Sequence, residues 1–241
     1  MKKGVIFFHK NIQDLYPSRW VDRCIQSMVS QRDREFKIYE VNYGGDDYSI
    51  FERVIPDQER EFYSRKFTNH AQAMNFIIDR AFEDGCEFVF NTNLDDFYNP
   101  DRIEKQLVEL KNGFDVVASN MCYVEERNGT DVTVKYMNLS EGGNIGNSLK
   151  GGHNVIAHPS VAFSKNFWKH NRYNPDEVPL EDFLLWQRAF ENGFKFTIVN
   201  EYLLNYRLHS MQVTGDNSDG AALLRKQSVV PNPPEIGRAH V

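Results

Sequence analysis

The chain is poor in cysteine. Cys24, Cys86 and Cys122 stand far apart in 241 residues and form no CxxC pair. That scatter signals neither a disulfide framework nor a zinc site, and it points to reduced thiols in a cytoplasmic setting. Long apolar runs are missing too. No stretch nears the roughly 20 residues that a membrane-crossing helix needs, and Met1 to Lys10 lacks the apolar core of a signal peptide. Without a secretory signal, the sequons Asn128-Gly129-Thr130 and Asn138-Leu139-Ser140 read as chance. Positive charge is also short: 28 Lys and Arg stand against 34 Asp and Glu, a formal net charge of -6. A nucleic-acid surface wants the opposite balance, so nucleic acid is not an expected partner. A nucleotide ligand stays compatible, because a divalent cation supplies positive charge locally.

What is present supports a packed core: 41% of residues are hydrophobic and 13% aromatic, which argues against disorder. Gly4 to Phe8 reads as a buried strand, and Pro17-Ser18 opens a helix in which Trp20, Cys24 and Met28 share a face. Glu35 to Val41 reads as a second strand, ending in the turn Asn42-Tyr43-Gly44-Gly45. Residues 48–67 show no period and predict irregular structure or one short helix. Asn69 caps a helix whose buried face is Met74, Ile77, Ile78, Ala81 and Phe82. Glu87 to Asn91 is the next strand, and Asn99-Pro100 opens the next helix. This alternation implies an α/β fold, a mostly parallel sheet with helices on both faces. Asn128-Gly129 then predicts a hairpin turn between strands at 115–124 and 130–136, the antiparallel portion. The glycine-rich stretch 141–147 reads as a mobile loop without the lysine and Ser/Thr of a P-loop. A strand over Val155–Phe163, a helix over 181–192 and a strand or strand pair over 194–208 complete the set. Residues 1–214 form the expected domain, and 215–241 an extension that reads as partly disordered or tag-derived.

Three features carry candidate chemistry. An apolar strand runs into Asn93-Leu94-Asp95-Asp96, and open parallel sheets bind ligands beyond such strand ends. Two adjacent carboxylates there suit Mg²⁺ or Mn²⁺ bridging a diphosphate; equally, they suit a polar turn before a helix. Glu181-Asp182 opens an amphipathic helix, either as favourable charge at its N-terminus or as an exposed general base. His209 ends the last strand, as a surface residue or as a contact to a metal or diphosphate.

These features stand in one order that resembles a family 2 glycosyltransferase with the GT-A fold. The likeness runs over residues 4–214. It is carried by the helix Trp20-Val21-Asp22-Arg23-Cys24, by Val41-Asn42 at the end of the second strand, and by Asn69-His70-Ala71-Gln72-Ala73-Met74-Asn75. It continues through Asn93-Leu94-Asp95-Asp96 at the DxD position, Asn154 to Phe163, Glu181-Asp182-Phe183 and Tyr206-Arg207-Leu208-His209. The resemblance implies an enzyme that transfers a sugar from a nucleotide-diphosphate donor to an acceptor hydroxyl, inverting the anomeric centre with Mn²⁺ or Mg²⁺. It implies that Phe8, His9 and Asn42 lie near the nucleotide base, and that Asn69, Asn93 and Asp95 belong to the donor site. Asp95, Asp96 and His209 would serve the metal, and Asp182, with Glu181 beside it, would be the catalytic base. The acceptor would be a glycan, a lipid or a protein, and further domains would be possible in a longer protein. Two positions depart from the pattern: Asn93 and Asn42 are amides where the family usually has acids. They keep open a non-catalytic carbohydrate- or nucleotide-binding domain. A sugar-nucleotide pyrophosphorylase is the other alternative, but Phe8 to Gln13 lacks the glycine-rich basic loop that would hold a triphosphate.

Overall fold

The computed structural model describes residues 1–212, apart from 53, 55, 142 and 143. The expected extension over 215–241 lies outside the described residues. In chain order the elements are β1 (Lys3–His9), α1 (Ile12–Leu15), α2 (Ser18–Val29), β2 (Lys37–Asn42), β3 (Arg60–Ser64), α3 (His70–Glu83), β4 (Phe88–Asn91), β5 (Phe97–Tyr98) and α4 (Arg102–Lys111). There follow β6 (Val116–Arg127), β7 (Thr130–Met137), α5 (Ile145–Lys150), a 3-10 turn at His158–Ser160, β8 (Ala162–Ser164) and α6 (Lys165–His170). A second 3-10 turn at Pro175–Glu177, α7 (Glu181–Glu191) and β9 (Phe196–Arg207) close the chain.

The described strands form one sheet in the order β3-β2-β1-β4-β8-β6-β9-β5, with β7 paired to β6. β3, β2, β1 and β4 run parallel, as do β6 and β9. β8 runs antiparallel between β4 and β6, and β5 and β7 are antiparallel additions. The expected mostly parallel sheet with a small antiparallel part is therefore present. Two reversals at β8 leave β6 and β9 pointing the same way as β4. The C-terminal ends of β1, β2, β4 and β9 thus open on one edge, where ligands bind in such sheets.

Alternating side chains on the central strands feed two cores. Ile6 and Val89 pack with Ala73, Ile77, Leu185 and Trp186 of α3 and α7. Val5, Phe7 and Phe90 pack with Ile25, Met28, Ile103 and Leu107 of α2 and α4. Burying both faces explains why the central strands read as unbroken apolar runs.

Several expectations need correction. β3 lies inside the stretch expected to be irregular or helical. It is an edge strand, Arg60-Glu61-Phe62-Tyr63-Ser64, whose charged, half-exposed side chains hide its period. The strand expected over 155–163 is confined to its end, because His158-Pro159-Ser160 turns as a 3-10 helix. The helix expected from Asn99-Pro100 begins at Arg102; the Asn99 side chain first accepts the Asp101 N–H. Within the expected loop 141–147, Asn144 caps α5, which starts at Ile145; residues 142 and 143 lie outside the described set. The hairpin is as expected, with Asn128 and Gly129 at φ 52° and 76°, the left-handed values that such a two-residue turn requires.

α5 meets α7 through Gly146. A Cβ there would collide with the Phe190 ring. Overpacking of this kind costs about 1–3 kcal/mol, so Gly146→Ala is expected to lower urea stability by that amount. Adding Phe190→Leu is expected to return most of the loss. An unmoved urea midpoint for Gly146→Ala would show that α5 does not pack in this way.

Candidate functional site

The loop leaving β4 is held from both ends. Arg102, fully buried, donates to the main-chain carbonyls of Asn91 at 2.7 Å and Val161 at 3.3 Å. The Thr92 hydroxyl donates to the Ile6 carbonyl at 2.6 Å, and the Asn93 N–H donates to the Tyr98 hydroxyl at 2.8 Å. Beyond Leu94 the two aspartates part. Asp95 lies 3.0 Å from His209, Oδ2 to Nε2. Met211 N–H donates to His209 Nδ1 at 3.2 Å, which assigns the ring proton to Nε2, facing Asp95. Tyr16 and Trp20 flank the His209 ring at 5.4 and 5.0 Å between centroids. Burial, with the negative charge of Asp95 and Asp96 added, raises the Tyr16 hydroxyl above its ordinary value.

Asp96 turns inward and is 1% exposed. Its Oδ1 accepts the Arg207 N–H at 2.9 Å, while Oδ2 has no partner. Burial, reinforced by Asp95, pushes this carboxyl well above the usual range. Of the three residues expected at a metal, Asp95 and His209 come together and Asp96 does not join them. Among the described residues, no three His, Cys, Asp or Glu side chains are grouped to hold an ion. The 3.0 Å separation is a hydrogen bond in which Nε2 donates to Asp95, so His209 would have to carry its proton on Nδ1 and give up the Met211 bond before Nε2 could meet a cation. One carboxylate completed by a ligand's oxygens is a donor set that Mg²⁺-type ions accept. Asn93 Oδ1 is buried nearby in the chain with no partner.

At the ends of β1 and β2, His9 and Asn42 lie in register, but their polar atoms are mostly spent on the protein. Asn42 donates to Asp46 at 2.6 Å and to the Tyr48 carbonyl at 3.0 Å, and accepts from Gly44 N–H. His9 Nε2 meets Glu40 at 2.9 Å, leaving only Nδ1 unpartnered. Phe8 is half-buried and packs on the α3 side. Asn69 caps α3 and donates to the Pro175 carbonyl, so its amide is also engaged.

Glu181 and Asp182 begin α7 and face different surroundings. Glu181 Oε1 lies 2.6 Å from His70 Nε2, and Oε2 is buried without a partner. Burial alone would push Glu181 up; the hydrogen bond and charge of His70 bring it below its ordinary value. Asp182 accepts the Phe183 N–H at 2.6 Å and lies 3.4 Å from Asn154 Nδ2. Burial, then the charge on Glu181, push its carboxyl up to about 7. His158 joins this cluster to β4: it touches Asn91 at 3.4 Å and the Tyr173 hydroxyl at 3.0 Å. Burial drops His158 to about 4, so it is neutral at pH 7.

Tyr16 and Tyr173 carry no local signal, and His70 and His158 stand out only as members of the segments 69–75 and 154–163 that carry the resemblance. Glu40, a lone acid inside an apolar strand, was the one buried partner with a readable signal. Two grooves, of about 310 Å³ beside Gly146 and Phe190 and about 370 Å³ beside Arg23 and Asn99, are lined by none of the candidate site residues.

The sequence profile of glycosyl transferase family 2 matches residues 16–171. The O-antigen biosynthesis glycosyltransferase WbnJ of Escherichia coli is 25% identical over 197 residues, 80% of this chain and 76% of WbnJ. The uncharacterized glycosyltransferase MJ1057 of Methanocaldococcus jannaschii is 25% identical over 198 residues, 80% of this chain and 67% of its own. Among solved structures, S. aureus TarS 1-349 in complex with UDP-GlcNAc superposes with a TM-score of 0.65 at 15% identity, over 94% of this chain and 65% of that one. Another crystal structure of TarS 1-349 gives 0.62 over 86% and 60%. This chain therefore spans less than two thirds of the solved TarS chains.

A carboxyl raised by folding favours the folded state only while protonated. That contribution is present below the unfolded value near 3.9 and is lost as pH rises to about 7. Asp182→Asn, which never ionises, is therefore expected to melt higher than the parent at pH 8, with the gain fading towards pH 4. Equal differences in Tm at pH 4 and pH 8 would remove the raised carboxyl.

Proposed function

Because the chain belongs to glycosyl transferase family 2 and has the GT-A fold, we propose that it is a metal-dependent, inverting hexosyltransferase. It uses a uridine diphosphate sugar and an acceptor hydroxyl borne by a glycan, lipid or protein. The uridine assignment rests on TarS, whose crystals hold UDP and UDP-GlcNAc. The observation that carries the catalytic reading is Asp182. Its carboxyl is half-buried at the start of a rigid helix and poised near neutrality beside an ionised Glu181. A general base works best when its proton affinity sits near the working pH.

In this reading, Asp182 takes the proton of the acceptor hydroxyl. The freed oxygen forms a bond to the anomeric carbon from the face opposite the diphosphate, and the carbon–oxygen bond to that diphosphate breaks. Its electron pair leaves on the nucleoside diphosphate. Asp95, with His209 once its proton has moved from Nε2 to Nδ1, would hold the cation, which when bound would supply positive charge against the leaving diphosphate. Neutral His158, packed on Tyr173 beside Asp182, adds no positive charge that would stabilise the ionised base. Among the described residues no helix is long and apolar enough to cross a membrane.

Asp182→Asn is expected to cut transfer by about 10²–10⁴-fold while UDP-sugar binding, followed by calorimetry, survives. The parent rate is expected to fall as pH drops through about 7, because protonated Asp182 cannot accept the hydroxyl proton. Undiminished transfer by Asp182→Asn would remove that residue from the mechanism. A parent chain that binds the donor but neither transfers nor hydrolyses it would be a binding module instead.

Asp95→Ala and His209→Ala are each expected to weaken Mn²⁺-dependent UDP binding by about 10-fold or more. UDP binding that is indifferent to Mn²⁺ in the parent chain would overturn the metal assignment.

A further inference from the structure

Asp131 sits on β7, one strand beyond β6, in a hairpin that no site residue occupies, yet it is wired to the loop that presents Asp95. The wire is Arg207, the last residue of β9, with 1% of its side chain exposed. One guanidinium nitrogen meets Asp131 Oδ1, and a second lies 3.3 Å from Oδ2. Nε of the same group donates to the Asp95 main-chain carbonyl at 2.9 Å, and the Arg207 N–H holds Asp96. The guanidinium lies 4.8 Å over the Trp20 ring, and that ring flanks His209. One planar fork therefore touches the main chain of Asp95, the wall beside His209 and the hairpin.

A buried guanidinium keeps its charge and must be given acceptors and a counter-charge. Asp131 supplies both from outside the site, with 21% of its side chain exposed. Arg23 is the other cation at Asp131, at 3.9 Å and 58% exposed, too far and too solvated to replace Arg207. With Asp131 neutral, the fork keeps its ring contacts with Trp20 and Phe97 but loses its charged two-oxygen partner, which loosens the aim of Nε at the Asp95 carbonyl.

We propose that Asp131 is a positioning residue for the Asp95–His209 pair, acting through Arg207 to fix how that pair meets the cation and the diphosphate. This rests on the functional reading above. Partners that orient metal ligands typically change metal affinity by 10–100-fold.

The test is Asp131→Asn, close to isosteric at a partly exposed position, read by electron paramagnetic resonance of free Mn²⁺ titrated in the presence of UDP. A loss of Mn²⁺ affinity of about 10-fold is expected. The donor KM is expected to rise while the acceptor KM holds; Tm is expected to fall as Arg207 loses its counter-charge, and Asp131→Glu to recover part of the affinity. Wild-type Mn²⁺ affinity in Asp131→Asn would overturn the proposal, as would a loss no larger than a matching fall in Tm explains. If the parent chain takes up neither Mn²⁺ nor UDP, the functional reading itself fails and this inference with it. Uptake by the parent with an unaffected Asp131→Asn sinks this inference alone.

Discussion

The loop from Asn91 to Asp96 must leave β4, turn, and bring one carboxylate to the edge of the sheet without unpicking the strand behind it. Two buried guanidinium groups settle how it does so. Arg102 takes the carbonyls at the end of β4 and beside β8, and its plane lies 4.2 Å over the Tyr98 ring, whose hydroxyl receives the Asn93 N–H. Arg207 takes the loop from its other end through the Asp95 carbonyl. Arginine cannot shed its proton in a protein, so both groups draw acceptors inward. Asp96 turns into that interior, where its Oδ1 takes the Arg207 N–H; burial and the charge of Asp95 raise its proton affinity well above the usual range, and Arg207 and Arg102 only moderate the rise. Adjacent aspartates thus divide the work, one answering the interior and one left for the rim.

The opposite side of the edge is tied by a different set of bonds. α3 holds the segment before α7 at several points along its length. Asn69 reaches Pro175, Asn75 exchanges two hydrogen bonds with the Tyr173 main chain, and Asp79 accepts from Trp168. His70 adds the bond to Glu181. The start of α7 is therefore fixed by side chains from another helix, the kind of support a proton-transfer group needs to keep its aim. The same support separates two neighbouring acids: His70 lowers Glu181, while burial and the charge so preserved on Glu181 raise Asp182. Divergent proton affinities in adjacent carboxyls are the pattern by which acid–base roles are assigned.

Much of this was legible where burial writes a period. β1, β2 and β4 showed as apolar runs, α2 and α3 as stripes, and Asn128-Gly129 as a hairpin, because each is fixed by local rules. β3 escaped, since a charged edge strand follows its neighbour β2 rather than its own pattern. The strand at 155–163 was overextended because apolar content does not reveal where Pro159 breaks a ladder. Of the site, Asp95, His209, Glu181 and Asp182 stood out by position and residue type. Their partners did not: Tyr16 to Asp95 and His70 to Glu181 are long-range pairs, 79 and 111 residues apart in the numbering, and nothing local marks either one. The resemblance puts Asp96 at the metal, and nothing local distinguishes an outward carboxylate from the inward one the fold makes of it.

The amides Asn42 and Asn93 look at first like losses, since each stands where an acid is usual. Asn42 is better matched to what surrounds it as an amide. Its NH₂ donates twice, to Asp46 and to the Tyr48 carbonyl, while its oxygen accepts the Gly44 N–H. A carboxylate there would have no donor hydrogen for Asp46 and would face it as a like charge. Asn93 bears on the cation more directly. With its side chain neutral and Asp96 turned inward, Asp95 is the one carboxylate that meets His209, and the pair carries a single negative charge when the ring is neutral. Such a pair holds a divalent ion weakly by itself, because Mg²⁺-type ions in donor sites rely on substrate phosphates for much of their coordination. The diphosphate would supply the missing charge, so ion and donor would arrive together rather than in sequence. On the proposed reading, the amide at Asn93 would make cation binding conditional on the nucleotide, a constraint on order that follows from charge count.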